Sequence, residues 1–137
     1  MPAAKPGSAD VPFAYAILRV VPRVERGERL NVGVVVFCRQ RDFLDLRAQI
    51  DEQRLTALAP DLDVAGLRDS IDAIRAVVCG DPAGGALAAL EPSERFGWVV
   101  APASTIIQPS QVHTGLTDDP AATLDRLFET LVATAGR

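Results

Sequence analysis

Residues 15–38 have the sequence YAILRVVPRVERGERLNVGVVVFC, in which two apolar runs flank a short and strongly charged connection. The runs are rich in β-branched and aromatic residues, which favour extended strands. Residues 22–29 join them, and this connection is too short for the crossover that parallel strands need. The stretch therefore predicts an antiparallel hairpin with charged side chains at its tip.

The hairpin is predicted to open a larger sheet, with strands over Phe13–Val21 and Leu30–Cys38. Both faces of the first run are apolar apart from Arg19, so this strand is expected at the centre of a sheet. Gly33 in the second strand predicts a β-bulge or a close backbone approach. A polar turn and a shorter third strand, Phe43–Ala48, follow. Three strands joined by short links favour an antiparallel meander.

The middle and the end of the chain have a helical period. A short helix is predicted over Asp51–Leu58, and a longer one begins after the N-cap Asp63 and ends at Gly80. A final helix begins at Asp119 and Pro120. The apolar stripe of the longer helix consists of Val64, Leu67, Ile71, Ile74 and Val78, and that of the final helix of Leu124, Leu127, Phe128, Leu131 and Val132. Both stripes are predicted to pack on the core.

The region between these helices is harder to assign. Residues 81–94 are predicted to form a loop or weak helix, and Trp98–Val100 and Thr105–Gln108 two short strands. Strands and helices then occur in blocks, which favours the α+β class over a doubly wound parallel sheet. We therefore expect an antiparallel β-sheet, made of the N-terminal three-stranded meander plus later short strands and covered by helices.

Length and composition indicate one domain. The chain has 137 residues, of which 48% are hydrophobic, enough for one core. Residues 1–11 are expected to form a flexible lead-in, without the apolar segment of a secretory signal, and residues 12–137 a single domain. No apolar run approaches the roughly 20 residues of a membrane helix. Cys38 and Cys79 are expected to be buried, reduced thiols, so a cytoplasmic location is predicted.

Arginines are concentrated in the first half of an acidic chain. The net charge is −4, yet eight of the thirteen arginines lie between Arg19 and Arg54, together with six carboxylates. Interleaved carboxylates weaken the attraction of arginines for a phosphate backbone. Nucleic-acid binding is therefore the weakest of three functional hypotheses.

Polar side chains that could bind a ligand cluster at the predicted hairpin. Arg19 lies near the end of the first strand, and Glu28 and Asn31 lie near the start of the second, so pairing would bring them within reach. An arginine, a carboxylate and a carboxamide can bind a phosphate or carboxylate ligand. The same residues can instead form a structural ion pair and satisfy turn backbone groups. The residues alone leave both interpretations open.

His113, Arg23 and Arg95 complete the candidates. His113 is the single histidine, in a stretch rich in hydroxyls and amides, where it is either a general base or a hydrogen-bonding residue of a loop. Arg95 and Trp98 are candidates for the same surface. The ligand-binding candidates are Arg19, Arg23, Glu28, Asn31, Arg95 and His113. No metal site is predicted, because zinc requires clustered ligands, and no cofactor motif is present.

The quoted stretch resembles the opening of the bacterial family catalogued as domain of unknown function 3037. The positions that carry the resemblance are Tyr15, Arg19, Pro22, Gly27, Glu28, Asn31, Gly33 and Val34. The later stretch RFGWVVAPASTIIQPSQVHTGLTDDP also resembles the family, although Gly97 stands where a larger residue is expected. The resemblance implies no reaction. It implies a protein partner, because members are often encoded beside a HipA-like kinase.

Two functional hypotheses remain, and they leave open whether the protein is an enzyme. The first is a non-enzymatic accessory or regulatory module that binds a protein partner such as a HipA-like kinase. The alternative is a small enzyme or ligand-binding domain acting on a phosphorylated or nucleotide ligand through the Arg/Glu/Asn/His cluster. Convergence of that cluster in one pocket would favour the alternative, whereas its dispersal beside an exposed apolar patch would favour the first.

Overall fold

The computed structural model describes residues 9–103 and 105–133 and contains an antiparallel five-stranded sheet with helices on both faces. The strands are β1 (Val11–Val20), β2 (Leu30–Cys38), β3 (Phe43–Ala48), β4 (Ile107–Pro109) and β5 (His113–Thr117). The helices are α1 (Glu52–Leu58), α2 (Val64–Cys79), α3 (Gly85–Ala88), α4 (Pro92–Val100) and α5 (Pro120–Leu131). The predicted α+β class is confirmed.

Strand β1 lies at the centre of the sheet, as predicted. It pairs antiparallel with β2 on one side, where Tyr15 lies opposite Val36. On its other side β4 and β5 pair with successive parts of β1. Strand β3 pairs with the outer edge of β2, which completes the predicted N-terminal meander. The apolar residues on both faces of β1 are explained by this central position.

A β-bulge interrupts the pairing of β1 with β2, as Gly33 predicted. Leu18 lies opposite Gly33, whereas Arg19 lies opposite Asn31, so β2 contains one extra residue at this point. A β-carbon on Gly33 would lie 3.2 Å from the backbone oxygen of Arg47. The glycine therefore permits both the bulge and the close approach of β3.

Ser110 connects the two short strands along the edge of β1. Its backbone N–H donates to the oxygen of Ile17 at 2.7 Å, and its Oγ accepts the N–H of Ile17 at 2.8 Å. Ser110 is buried, and an unpaired buried amide would cost roughly 1–3 kcal/mol. The hydroxyl thus continues the hydrogen bonding of β1 where its partner changes from β4 to β5.

Alternate residues of the sheet are buried in two separate clusters. One face packs against α1, α2 and α4, in a cluster that includes Ala16, Leu18, Val20, Val32, Val35, Leu55, Leu67, Ile71, Val78, Phe96 and Val99. The other face packs against α5, in a cluster of Phe13, Val34, Val36, Cys38, Leu124, Phe128 and Val132. The sheet is therefore the middle of three layers.

Helix boundaries follow the predicted capping residues. Asp51, Asp63 and Asp119 each accept a hydrogen bond from the backbone N–H three residues further on, at the starts of α1, α2 and α5. Pro120 occupies the first turn of α5. Gly80 ends α2 with a φ of 69°, a left-handed conformation that costs glycine little.

Two predictions for the C-terminal half are wrong. Trp98–Val100 form the end of α4 rather than a strand, because Pro92 starts a helix and Phe96 and Val99 are buried three positions apart. Packing of that face on the sheet overrides the β-preference of the valines. His113 was expected in a loop but begins β5. Short alternation in residues 113–117 was too weak a signal for a strand.

Other boundaries change less. The strand predicted at Thr105–Gln108 is β4, displaced by about two residues. Residues 81–94 contain a 3-10 turn, α3 and the start of α4. Of the predicted lead-in, residues 1–8 lie outside the described residues, and β1 begins at Val11. None of the helices in the described ranges is long and apolar enough to cross a bilayer.

The two cysteines differ in exposure. Cys38 is buried and its thiol lies 3.4 Å from the oxygen of Pro12, whereas Cys79 is exposed. The prediction that Cys79 is buried is wrong, because Val77 and Val78 take the core positions at the end of α2. Both thiols are free. Desolvation and the carboxylate of Asp45 raise the pKa of the Cys79 thiol.

Candidate functional site

Arg19 and Asn31 are brought together by the hairpin. They are directly opposed in the β1–β2 pair, and opposed residues share one face of a sheet. Asn31 Nδ2 donates to the oxygen of Leu131 at 3.0 Å, so both side chains lie on the α5 face. The carboxamide therefore satisfies a carbonyl at the end of α5 rather than the turn. Partial burial, and then the charge of Arg29, lower the pKa of the Arg19 guanidinium.

Glu28 has a different partner from the one considered in the sequence. It accepts hydrogen bonds from Nε and Nη2 of Arg26 at 2.6 and 3.2 Å. This pair lowers the pKa of the Glu28 carboxyl and raises that of Arg26, and both side chains are exposed. Arg23 lines a polar pocket of about 320 Å³ with them. The expected ion pair between Arg19 and Glu28 is replaced by this local pair.

His113 lies on the α5 side of the sheet. It is opposite Tyr15, and the two rings stack with centroids 5.1 Å apart and an interplanar angle of 30°. Tyr15 in turn stacks on Phe13, whose ring packs in the α5 cluster. The imidazole therefore extends an aromatic row on β1 and β5.

Arg95 lies on the opposite side of the sheet, on α4. Its Nη1 donates to the backbone oxygens of Ala88 and Leu90 at 3.3 and 3.4 Å. Its Nε is buried without a hydrogen-bond partner in the described part of the chain. The guanidinium thus holds α4 against the end of α3. The prediction that Arg95 lines the same surface as His113 is wrong, because the sheet separates them.

The six ligand-binding candidates consequently occupy different places. Arg19 and Asn31 adjoin the end of α5, Arg23 and Glu28 line the hairpin-tip pocket, and His113 and Arg95 lie on opposite faces of the sheet. A catalytic cluster requires its groups within hydrogen-bond reach of one reacting atom. This arrangement gives no support to a single Arg/Glu/Asn/His site.

An apolar groove lies between α2, α4 and the segment that leads into β4, and we call it the groove. Its volume is about 460 Å³. Side chains that line it include Ile74, Trp98, Val99, Pro102, Ile106 and Ile107. None of the described lining residues is charged, and the hydroxyl of Thr105 already donates to the oxygen of Ile107 at 2.8 Å. The groove therefore suits apolar groups.

Trp98 is the most exposed aromatic side chain of the groove. It is the single tryptophan of the chain and is 41% exposed. Tryptophan is enriched where one protein surface meets another, because its large ring gains much from burial. Sequence reasoning missed the groove because it predicted Trp98–Val100 as a strand. The helical spacing of Phe96 and Val99 after Pro92 was the signal that could have revealed it.

Metal and nucleophile chemistry has little support in the described ranges. No group of three or more His, Cys, Asp or Glu side chains there is placed to hold a metal ion. Burial keeps the thiol of Cys38 inside the α5 cluster. The raised pKa of Cys79 disfavours the thiolate, which is the nucleophilic form.

Comparison with known families agrees with the resemblance of the hairpin. The family described as Protein of unknown function (DUF3037) matches residues 15–132. The chain belongs to this family. The matched segment contains all five helices and strands β2 to β5, so both the sheet and the groove belong to the DUF3037 region. No curated protein and no solved structure matches the chain.

Proposed function

We propose that this DUF3037 protein is a non-enzymatic module that binds a partner protein in the groove. The observation that carries the proposal is the half-exposed ring of Trp98 beside an uncharged, apolar surface. Burial of a large aromatic ring between proteins contributes much of the affinity of many interfaces. The six ligand-binding candidates do not share one pocket. This dispersal favours the protein-binding hypothesis over a single Arg/Glu/Asn/His ligand site.

The arginines of the helices that form the groove are engaged within the chain. Arg68 on α2 donates to Glu52 at 3.1 Å. Arg75, also on α2, donates to the oxygen of Leu46 at 3.3 Å. Arg95 on α4 donates to backbone oxygens as described above. These cations are therefore held by internal partners.

The carboxylates next to the groove form no ion pair in the part of the chain that the structure describes. Asp69 lies one turn before the groove residue Ala73, and Glu94 lies one turn before Trp98. Both are exposed, and neither takes part in an ion pair among the described residues. Carboxylates beside an apolar groove favour a partner with apolar anchors flanked by positive charge.

We therefore propose a basic amphipathic helix of a partner protein as the occupant. Such a helix presents apolar side chains at positions i, i+3, i+4 and i+7, which can enter an apolar groove. Lysine and arginine on its flanks would face Asp69 and Glu94. The HipA-like kinase implied by the family resemblance is a candidate partner if it carries a segment of this kind.

The test uses a fluorescent 16-residue helical peptide with leucine at the anchor positions and lysine elsewhere. Its binding is followed by fluorescence anisotropy for the parent protein, Trp98→Ala and Leu116→Ala. Loss of a tryptophan anchor typically costs about 2 kcal/mol, so Trp98→Ala should weaken binding about 30-fold. Leu116 is 66% exposed on β5, outside the groove, and serves as the matched control. Leu116→Ala should bind like the parent.

Further arms examine the charges and the occupant. Asp69→Asn with Glu94→Gln should weaken peptide binding and reduce its salt dependence, because rim charges are screened by salt. The purified kinase should co-elute with the parent protein in size-exclusion chromatography and separate from Trp98→Ala. Equal peptide affinity of Trp98→Ala and the parent would contradict the proposal. A Trp98-dependent dimer in sedimentation would contradict it also, since a second copy would then be the occupant.

A further inference from the structure

A small polar pocket lies where the hairpin meets α1 and the end of α5, away from the groove. Its volume is about 170 Å³, and it is lined by Arg29, Leu30, Asn31, Arg54 and Leu131. Arg19 is the cross-strand neighbour of Asn31 on the same face of the sheet. Two arginines, Arg29 and Arg54, therefore line the pocket, and Arg19 of β1 is the neighbour of a third lining residue, Asn31.

Positive charge in this region is not balanced by ion pairs. The ion pairs of the described residues are Arg26–Glu28, Arg47–Asp125 and Arg68–Glu52. None of them includes Arg19, Arg29 or Arg54. Glu52 and Asp51 are the carboxylates nearest in sequence to Arg54: Glu52 pairs with Arg68, and Asp51 accepts the backbone N–H of Arg54 as the N-cap of α1.

Two further features describe the electrostatics of the pocket. The charge of Arg29 contributes to the lowered pKa of Arg19, as expected for two guanidinium groups near each other. Helix α5 ends at Leu131, and the C-terminal end of a helix carries about half a negative charge. That partial charge offsets less than one of the three positive charges. Arginines held near each other without an ion pair among the described residues cost stability, so their assembly points to an anionic ligand.

We propose that Arg19, Arg29, Arg54 and Asn31 form a binding site for a phosphate-type anion. Arginine guanidinium groups bind phosphoryl oxygens in bidentate geometry, and the second Nδ2 hydrogen of Asn31 adds a neutral donor. The pocket is smaller than the 300–1,000 Å³ typical of pockets for drug-sized ligands. It therefore accepts one phosphoryl group, free or at the end of a larger molecule whose remainder stays in solvent.

This site differs from the cluster predicted from the sequence. Glu28 and His113 have no part in it, and Arg29 and Arg54 replace them. It is also independent of the groove, because the two share no lining residue: the pocket lies between the hairpin, α1 and the end of α5, whereas the groove lies beside α2 and α4. An anion at this site would neutralise charge at the end of α5 without touching Trp98.

The experiment is a titration with inorganic phosphate, followed by ¹H–¹⁵N NMR at constant ionic strength maintained with chloride. The side-chain NH₂ of Asn31 and the backbone amides of residues 29–31 and 54 report on the pocket directly. A saturable shift of these signals, with a dissociation constant on the order of millimolar for a solvent-open site, is expected. Phosphoserine and pyrophosphate as further probes distinguish a phosphoryl group on a larger molecule from free phosphate.

Variants make the test specific. Arg29→Ala and Arg54→Ala should each weaken phosphate binding at least tenfold. Arg26→Ala removes one positive charge from the same hairpin but lies outside the pocket, so it should bind phosphate like the parent. In phosphate-free buffer Arg29→Ala should also melt at a higher temperature than the parent, because it relieves repulsion with Arg19. That stabilisation should shrink when phosphate is added.

Some outcomes would overturn the proposal. One such outcome is the absence of a saturable shift at phosphate concentrations up to about 20 times the expected millimolar dissociation constant. Equal weakening by Arg26→Ala and Arg29→Ala would show attraction to net charge rather than a site. Arg19 is partly buried, and Arg19→Ala could fail to fold for that reason. Arg29→Ala and Arg54→Ala, both at exposed positions, therefore decide the proposal.

Discussion

The two faces of the sheet are covered differently. On one face a single helix, α5, packs on the strands and buries Leu124, Phe128 and Val132 against them. On the other face α2 and α4, which are separated in sequence, cover the sheet together and leave the groove with Trp98 at its rim. A single helix can align its whole apolar stripe with the strands, whereas two helices meet at an angle and leave space between them.

This difference separates a face closed by one helix from a face that keeps a partly open groove. Side chains of α5 that contact the sheet are buried, so their substitution should change the free energy of unfolding. Trp98 at the rim of the groove is exposed, so its substitution should change binding more than stability. The predictions below test this separation, from the largest expected effect to the smallest.

Removal of α5 should prevent folding. A chain that ends before Pro120 loses three buried side chains, each contributing about 1.5–3 kcal/mol. Their sum, about 5–9 kcal/mol, is comparable with the total stability of about 5–15 kcal/mol of a typical domain. Circular dichroism should show no cooperative melting. A chain that ends after Ala133 keeps all described contacts and should melt like the parent. Cooperative melting of the shorter chain would show that the other face suffices for folding.

Alanine substitutions on the two faces should have unequal effects on stability. Phe128 is buried and lies under the guanidinium of Arg47, whose carbon is 4.2 Å from the ring centroid. Phe128→Ala should destabilise the protein by about 3–5 kcal/mol, as for other buried aromatic residues. Trp98→Ala should cost about 1 kcal/mol or less, because much of its ring is exposed already. Urea denaturation measures both, and similar losses would contradict the division between the faces.

Two glycines on the groove side should respond in opposite directions to alanine. Gly80 has a left-handed φ, and its β-carbon would lie 2.9 Å from Nη1 of Arg95. Gly80→Ala should therefore cost about 1–2 kcal/mol. Gly97 is exposed within α4 and an added β-carbon would meet nothing within 4 Å. Gly97→Ala should stabilise the protein by about 0.5–1 kcal/mol, because alanine favours helix. Thermal melting distinguishes the two, and destabilisation by Gly97→Ala would contradict the packing of α4.

The smallest expected effect concerns Glu28 at the hairpin tip, which belongs to neither face. The hydrogen bond from Arg26 lowers the pKa of this carboxyl from its ordinary value of 4.5. A lowered pKa in the folded state stabilises the fold above pH 4.5, and this contribution is lost as the pH falls through the folded-state value. Between pH 6 and 3 the melting temperature of the parent should therefore fall slightly more than that of Glu28→Gln.

A control for this pH effect is available on α4. Glu94→Gln removes an exposed carboxylate that forms no ion pair among the described residues. Its melting temperature should follow the parent across the same pH range. If Glu28→Gln and Glu94→Gln behave alike, the Arg26–Glu28 pair has no measurable effect on folding, as is common for surface ion pairs.

The sequence predicted those parts of the fold that depend on local signals. The hairpin followed from two β-prone runs with a short connection, and the starts of α1, α2 and α5 followed from Asp51, Asp63 and Asp119. Each signal lies within a few residues of the structure it specifies. Helix α4 was mistaken for a strand because Val99 and Val100 favour strands locally, and this preference hid the helical spacing of Phe96 and Val99, which pack on the sheet.

The candidate sites were less predictable than the fold, because distant segments form them. Arg19 and Asn31 were correctly expected together, since one hairpin contains both. Arg54 joins them only because α1 packs near the end of α5. The groove combines Ile74 with Trp98 and Ile107, which no short-range pattern connects. Charge alone did not reveal that Glu28 forms its ion pair with Arg26, two residues away, rather than with Arg19.

The double contact between Ser110 and Ile17 has a consequence for how the chain can change in length. Residues 110–112 connect β4 to β5, and Ser110, the first of them, is fixed to β1 by two hydrogen bonds. The strands at both ends of this connection are themselves paired with β1. One residue inserted between Ser110 and β5 would shift the register of β5 on β1 by one and move every side chain of β5 to the opposite face. Other surface turns of the protein tolerate insertion more readily, since loop length by itself costs little. Natural length variants should therefore avoid residues 110–112.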